Sequence, residues 1–192
     1  MPEISKISSV AIASISKISG IAKASVGKFL GVAPPSIPTD PFTFTINTEN
    51  AGSATKTFKL PLVSDGTIDI LVDWGDSSTD TITAYNQSEI THVYSSTGTY
   101  TIEMSGTIRG FRFAGSGDKL KILNISQWGD FDFTQTQTFQ GCENLTSNAS
   151  DAPSISSNSL QYQFLTCTNF NGGTTGWDTS AVTNMFGVFN GC

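Results

Sequence analysis

The chain has 192 residues, only 14% of them charged, with a net charge of −6. Ten Lys and Arg against sixteen Asp and Glu provide no cationic cluster for phosphate, so nucleic acid is not expected as a partner. No stretch reaches the roughly 18 continuous apolar residues of a membrane-spanning helix, so no membrane contact of that kind is expected either. Thirteen Phe against four Tyr, with eighteen Gly, point to an all-β protein with a well-filled core.

Residues 1–36 carry a repeat with a period of 11. Ile4, Ile15 and Val26 align, as do Lys6, Lys17 and Lys28, and Ala11, Ala22 and Ala33. The apolar set Ile4, Ile7, Val10, Ile15, Ile18, Ile21, Val26, Phe29 and Val32 recurs in register but is too small to enclose a core within one chain. These nine residues are therefore the candidate assembly residues, needing copies of the chain or a larger particle as the other wall. Such a period could drive a right-handed helical coil at about 3.67 residues per turn. The Ile, Val, Ser and Gly content favours short strands with turns instead. The segment lacks a continuous apolar block, so it does not read as a secretory signal, and a start at Met1 fits an unprocessed N-terminus.

Pro34, Pro35 and Pro38 then stiffen the chain, and residues 37–40 are read as a linker. Residues 41–115 follow with short alternating runs. Phe42, Phe44 and Ile46 form one set, Phe58 and Leu60 another, and Ile68, Ile70 and Val72 a third leading into Trp74. Turn signals such as Ser64-Asp65-Gly66 separate them, a spacing that predicts a β-sandwich. Val72-Asp-Trp-Gly-Asp-Ser77, then His92-Val-Tyr94, then Gly98-Thr-Tyr-Thr-Ile102 resemble the signature of the PKD-like immunoglobulin-type domain. Ser77 departs from that pattern, which has Gly there. The resemblance implies an extracellular spacer or binding module without catalysis.

Residues 116–192 repeat every 25 residues. Cys142, Cys167 and Cys192 share one slot, and Phe139, Phe164 and Phe189 another. A fixed period of this length predicts stacked coils in which Cys serves as a small buried apolar residue. One disulfide between neighbouring coils is the competing reading. Gly176-Trp-Asp-Thr-Ser-Ala-Val-Thr-Asn-Met-Phe-Gly-Val-Phe-Asn-Gly-Cys192 is similar to one unit of the BspA-like surface-protein repeats, relatives of leucine-rich repeats. That likeness implies a leucine-rich-repeat-like solenoid, continuing past Cys192. The expected fold is thus all-β: a repeat-containing arm, an immunoglobulin-like sandwich, then a solenoid.

Candidate chemistry is sparse. His92 is the only histidine, and no Ser or Cys can be assigned to it as a nucleophile, so it is expected to pack and hydrogen-bond structurally. Asp73, Asp76 and Asp80 are calcium candidates. The competing reading is a turn held by side-chain to backbone bonds. Trp128, Tyr162 and Trp177 are candidates for a sugar-stacking surface, against a core role for Trp177. No catalytic residues or cofactors are expected. The 11-residue units are similar to the leading segments of some phage structural proteins. With them, the reading is a non-enzymatic virion-surface protein, a fibre, tail or head appendage. Residues 1–36 would join it to other virion proteins and its own copies, with a host-surface glycan or protein as its target. A bacterial cell-surface adhesin is the alternative, and a glycan-cleaving tailspike the second; the latter needs a carboxylate pair across a groove, which the sequence does not offer.

Overall fold

Alternation in Phe42–Asn47 (β1) is realised residue by residue. Phe42, Phe44 and Ile46 are fully buried, while Thr43, Thr45 and Asn47 lie between them at intermediate exposure. The computed structural model describes residues 40–192, so the arm and its nine candidate assembly residues lie outside the described residues. The strands that follow are Thr57–Lys59 (β2), Asp69–Asp73 (β3), Thr79–Ile82 (β4), Thr91–Val93 (β5), Thr99–Thr107 (β6), Ile122–Gln127 (β7) and Thr146–Ser147 (β8). A 3-10 turn at Ser88–Ile90 is the one helical piece among the described residues.

Six strands make a single open mixed sheet in the order β4-β3-β6-β1-β7-β8, and β2 with β5 makes a two-stranded ribbon. β1 is central. It runs antiparallel to β6, with Phe44 opposite Ile102, and antiparallel to β7 on its other edge, with Phe44 opposite Ile125. β7 then pairs in parallel with β8, Asn124 opposite Thr146.

This topology overturns the expected division into an immunoglobulin-like sandwich followed by a leucine-rich-repeat-like solenoid. β7 comes from the segment assigned to the solenoid, yet it hydrogen-bonds to the first strand of the segment assigned to the sandwich. The described residues belong to one compact unit with one continuous core. The physical cause is aromatic. Phe42 packs 4.5 Å from Phe131 and stacks on Trp128 at 6.0 Å, and Phe131 in turn lies 5.7 Å from Phe139. Fully burying such rings is worth about 1.5–3 kcal/mol each, so separating the two halves would forfeit several of them.

The 25-residue spacing appears as close contacts inside this core. Phe139 stacks on Phe164 at 5.4 Å, and Phe164 on Phe189 at 5.5 Å. Cys167 Sγ donates to the Phe139 carbonyl at 2.9 Å, and Cys192 Sγ to that of Phe164 at 3.0 Å. All three thiols are free; Cys142 and Cys167 are buried and Cys192 is exposed. Burial pushes the Cys142 thiol well up and that of Cys167 to about 12, so both stay protonated and behave as apolar filling. Isolated parallel bridges also join Ile108 to Phe131, Asp132 to Ser154 and Ser159 to Asn184.

Candidate functional site

Three places concentrate polar or exposed groups. The first is the Trp74–Ser78 turn. Trp74 is fully buried, and its Nε1 donates to Asp80 Oδ2 at 2.9 Å. His92 stacks flat on Trp74 at 4.8 Å and meets Tyr94 edge-on at 4.5 Å. Its Nε2 lies 2.9 Å from Asp76 Oδ2, while the Ser78 hydroxyl donates to the other oxygen of the same carboxylate. A serine–histidine relay needs the imidazole between hydroxyl and carboxylate. Here the carboxylate is in the middle, so the serine has no base and the trio is a clip. Burial raises the Asp76 carboxyl, but the Ser78 and His92 hydrogen bonds outweigh it and hold the group below its ordinary value.

The calcium candidates accept hydrogen bonds in the same turn. Asp73 accepts from Gly75 N–H at 2.8 Å, Asp76 from Ser78 N–H at 3.1 Å, and Asp80 from Trp74. Among the described residues no three carboxylate, His or Cys groups converge as metal ligands. Asp73 and Asp76 thus make side-chain to backbone bonds within the turn.

The second place holds two buried charged residues, Asp118 and Lys121, that both bond to Ser53. Asp118 accepts from Lys59 N–H at 2.7 Å, from the Ser53 hydroxyl at 2.8 Å and from Ser53 N–H. Lys121, fully buried, donates to the carbonyls of Ser53 at 3.1 Å, Ala54 at 3.0 Å and Thr57 at 2.6 Å. Burial pulls its ammonium down, and Asp118 offsets this in part. A cleft of about 430 Å³ opens beside the pair, lined by Lys59, Leu62, Arg112 and Phe113 among others. Its best-placed polar groups are occupied: Arg112 Nε donates to the Thr136 carbonyl at 3.1 Å, and Asp118 already holds three donors. The pair fastens the loop before β2 to the coil before β7.

The third place is the last coil, and it is the candidate binding site. Met185, Phe186 and Phe189 are exposed at 50%, 65% and 42%, which is a large apolar outlay for one short segment. Beside them a cleft of about 220 Å³ is lined by Leu160, Thr174, Trp177, Thr179, Met185, Val188 and Phe189. Of the sequence candidates, Trp177 lines this cleft, half-buried, with no partner for its indole N–H among the described residues and its ring edge-on to Trp128 at 5.7 Å. Tyr162 lies next to the site, edge-on to Phe186 at 5.4 Å. Trp128 is only 1% exposed and stands in the core among Phe42, Phe131 and Phe139, so it has no face for a sugar.

Sequence reasoning missed Met185 and Phe186, and assigned Phe189 to a buried aromatic row. A signal was there. The outward position held by Thr136 and Gln161 in the earlier units becomes Phe186 in the last, an aromatic where a polar side chain stood before. No family model, no curated protein and no solved structure matches the chain.

Proposed function

We propose that this is a non-enzymatic attachment protein of a virion surface, part of a fibre, tail or head appendage. In this reading residues 1–36 join other virion proteins and copies of the chain, and the β body holds a binding face outward. The observation that carries it is the exposed cluster of Met185, Phe186 and Phe189 beside the Trp177 cleft, mounted on a closely packed aromatic core. An exposed apolar patch beside a cleft is the form a recognition surface takes. Low charge and the self-repeating segment support the particle assignment.

Two measurements test the reading. The protein should sediment with intact particles, not with a bacterial envelope fraction; recovery only with envelopes would favour a cell-surface adhesin. Particles carrying Phe186→Asp and Phe189→Asp should assemble at normal occupancy and adsorb to host cells at least about tenfold less well, the effect of losing roughly 1.4 kcal/mol of binding. Unchanged adsorption would remove the last coil from the binding role.

A further inference from the structure

We infer that Asn171 is a site of spontaneous covalent modification, at which the backbone nitrogen of Gly172 displaces the side-chain amide as ammonia and leaves an aspartate or isoaspartate. The inference goes beyond the attachment reading and does not depend on it.

Nucleophile, electrophile and leaving group are all available in the loop after Phe170. Asn171 is exposed, and among the described residues neither its Nδ2 nor the Gly172 N–H meets an acceptor. Asn171 Oδ1 accepts from the Ser147 N–H of β8 at 3.3 Å. A donor on that oxygen polarises the Cγ carbonyl and stabilises the oxyanion that forms on attack. Packing reserves the next position for glycine. A Cβ at Gly172 would lie 2.6 Å from the Phe170 ring and 2.8 Å from Ser147 Cβ. The same lack of a Cβ leaves the attacking nitrogen unhindered. Other asparagines lack one of these parts. The N–H after Asn148, on Ala149, donates to the Ser147 hydroxyl at 3.3 Å, and that after Asn158, on Ser159, to the Ser157 hydroxyl at 3.1 Å. The N–H after Asn169, on Phe170, donates to the Cys167 carbonyl at 2.9 Å. Asn144 and Asn124 hold their Nδ2 groups in hydrogen bonds, to the Leu120 carbonyl and to Asn148 Oδ1, both at 2.8 Å. Asn190 is also followed by glycine, but among the described residues no donor meets its side-chain oxygen.

The step needs only water and hydroxide. Hydroxide takes the Gly172 N–H proton, and the nitrogen bonds to Asn171 Cγ. The Cγ–Nδ2 bond then breaks as Nδ2 takes a proton from water and leaves as ammonia. The cyclic imide takes up one water in turn. Opening at Cγ gives an aspartate with the normal backbone, and opening at the backbone carbonyl carbon routes the chain through the former side chain as isoaspartate. Nothing is oxidised or reduced. Either product places a negative charge beside Ser147. Isoaspartate also lengthens the backbone next to Phe170, whose ring stacks on Phe164 at 4.2 Å. Asparagine is a thermolabile residue in general. Here packing fixes its most labile neighbour beside it, so the site is an ageing point built into the fold.

The test incubates the full chain in mildly alkaline buffer, with samples digested for peptide mass spectrometry and isoaspartate read by enzymatic carboxyl methylation. Asn171 should exchange its amide for a carboxyl at least about tenfold faster than Asn148 and about threefold faster than Asn190. The rate should rise with hydroxide concentration. Unfolding the chain in denaturant should slow Asn171 by about threefold, because the Ser147 donor is then lost. In Asn171→Gln the isoaspartate signal of this peptide should disappear. If that variant does not fold, the ratio of folded to unfolded rates in the parent chain decides. A rate at Asn171 no greater than that at Asn148, or one as fast or faster in the unfolded chain, would overturn the inference.

Discussion

Ser77 sits at φ 73, in the left-handed region that costs a residue with a Cβ about 1–2 kcal/mol. It is also the position at which the motif it resembles carries glycine. Ser77→Gly should relieve part of that strain and raise stability by about 0.5–1 kcal/mol, measured as a higher denaturation midpoint at unchanged m-value. Neighbouring Gly75 has no such freedom to change, since a Cβ there would lie 2.2 Å from the Thr101 carbonyl oxygen. Asp76 makes the same turn sensitive to acid. Its carboxyl is held below the ordinary 3.8, so the folded state gives up protons more readily than the unfolded state. The stability this contributes is fully present above the ordinary value and is lost as pH falls through the lower folded value. Asp76→Asn should therefore weaken the protein at neutral pH and flatten the acid limb of its stability curve. Asp65 would supply the slope that remains: burial raises its carboxyl, but Thr134, Gln135, Arg109 and Gly110 together hold it low. An acid limb as steep in Asp76→Asn as in the parent would show that the clip has no energetic role.

Elements differ in what each loses by truncation because their aromatic side chains are enclosed to different degrees. Phe139 is fully buried and touches Phe111, Phe113, Trp128, Phe131, Phe133 and Phe164, whereas Phe189 is 42% exposed. Phe139→Ala should cost about 3–5 kcal/mol and Phe189→Ala about 1 kcal/mol, compared by urea unfolding. Equal costs would mean that the last coil is as enclosed as the first. The sequence made these elements legible to different degrees. Local alternation is enough to read β1, since every second side chain must face one side. The same logic placed Trp74 inside, and the equal spacing of Phe139, Phe164 and Phe189 put them in contact. Partnership was not legible. β1 has two edges, and nothing in Phe42–Asn47 states that one of them belongs to Ile122–Gln127. A repeat signature beginning near residue 116 suggested a boundary that the Phe42, Trp128 and Phe131 contacts erase. The candidate site was half legible, because Trp177 and Tyr162 stand at it while the exposure of Met185 and Phe186 depends on which neighbours stack over them.

At the scale of the whole chain, the core of the described residues is walled by β1 to β8 and the segments after them. Deleting residues 1–36 should leave a soluble β body whose midpoint for thermal unfolding lies within a few degrees of the parent's, while incorporation into particles is lost. A truncated chain that unfolds far earlier would assign the segment to the core, and one that still incorporates would deny it the anchoring role. The central position of β1 has a consequence in time as well as in space. Synthesis runs from the N-terminus, and 80 residues separate Asn47 from Gln127. At roughly 5–20 residues per second, β1 waits about 4–16 s on the ribosome before its second partner strand exists. Throughout that interval Phe42, Phe44 and Ile46 are open to any other edge, including that of a neighbouring nascent chain, so the yield of this protein should depend on chaperone supply and on the pace of translation between those two strands.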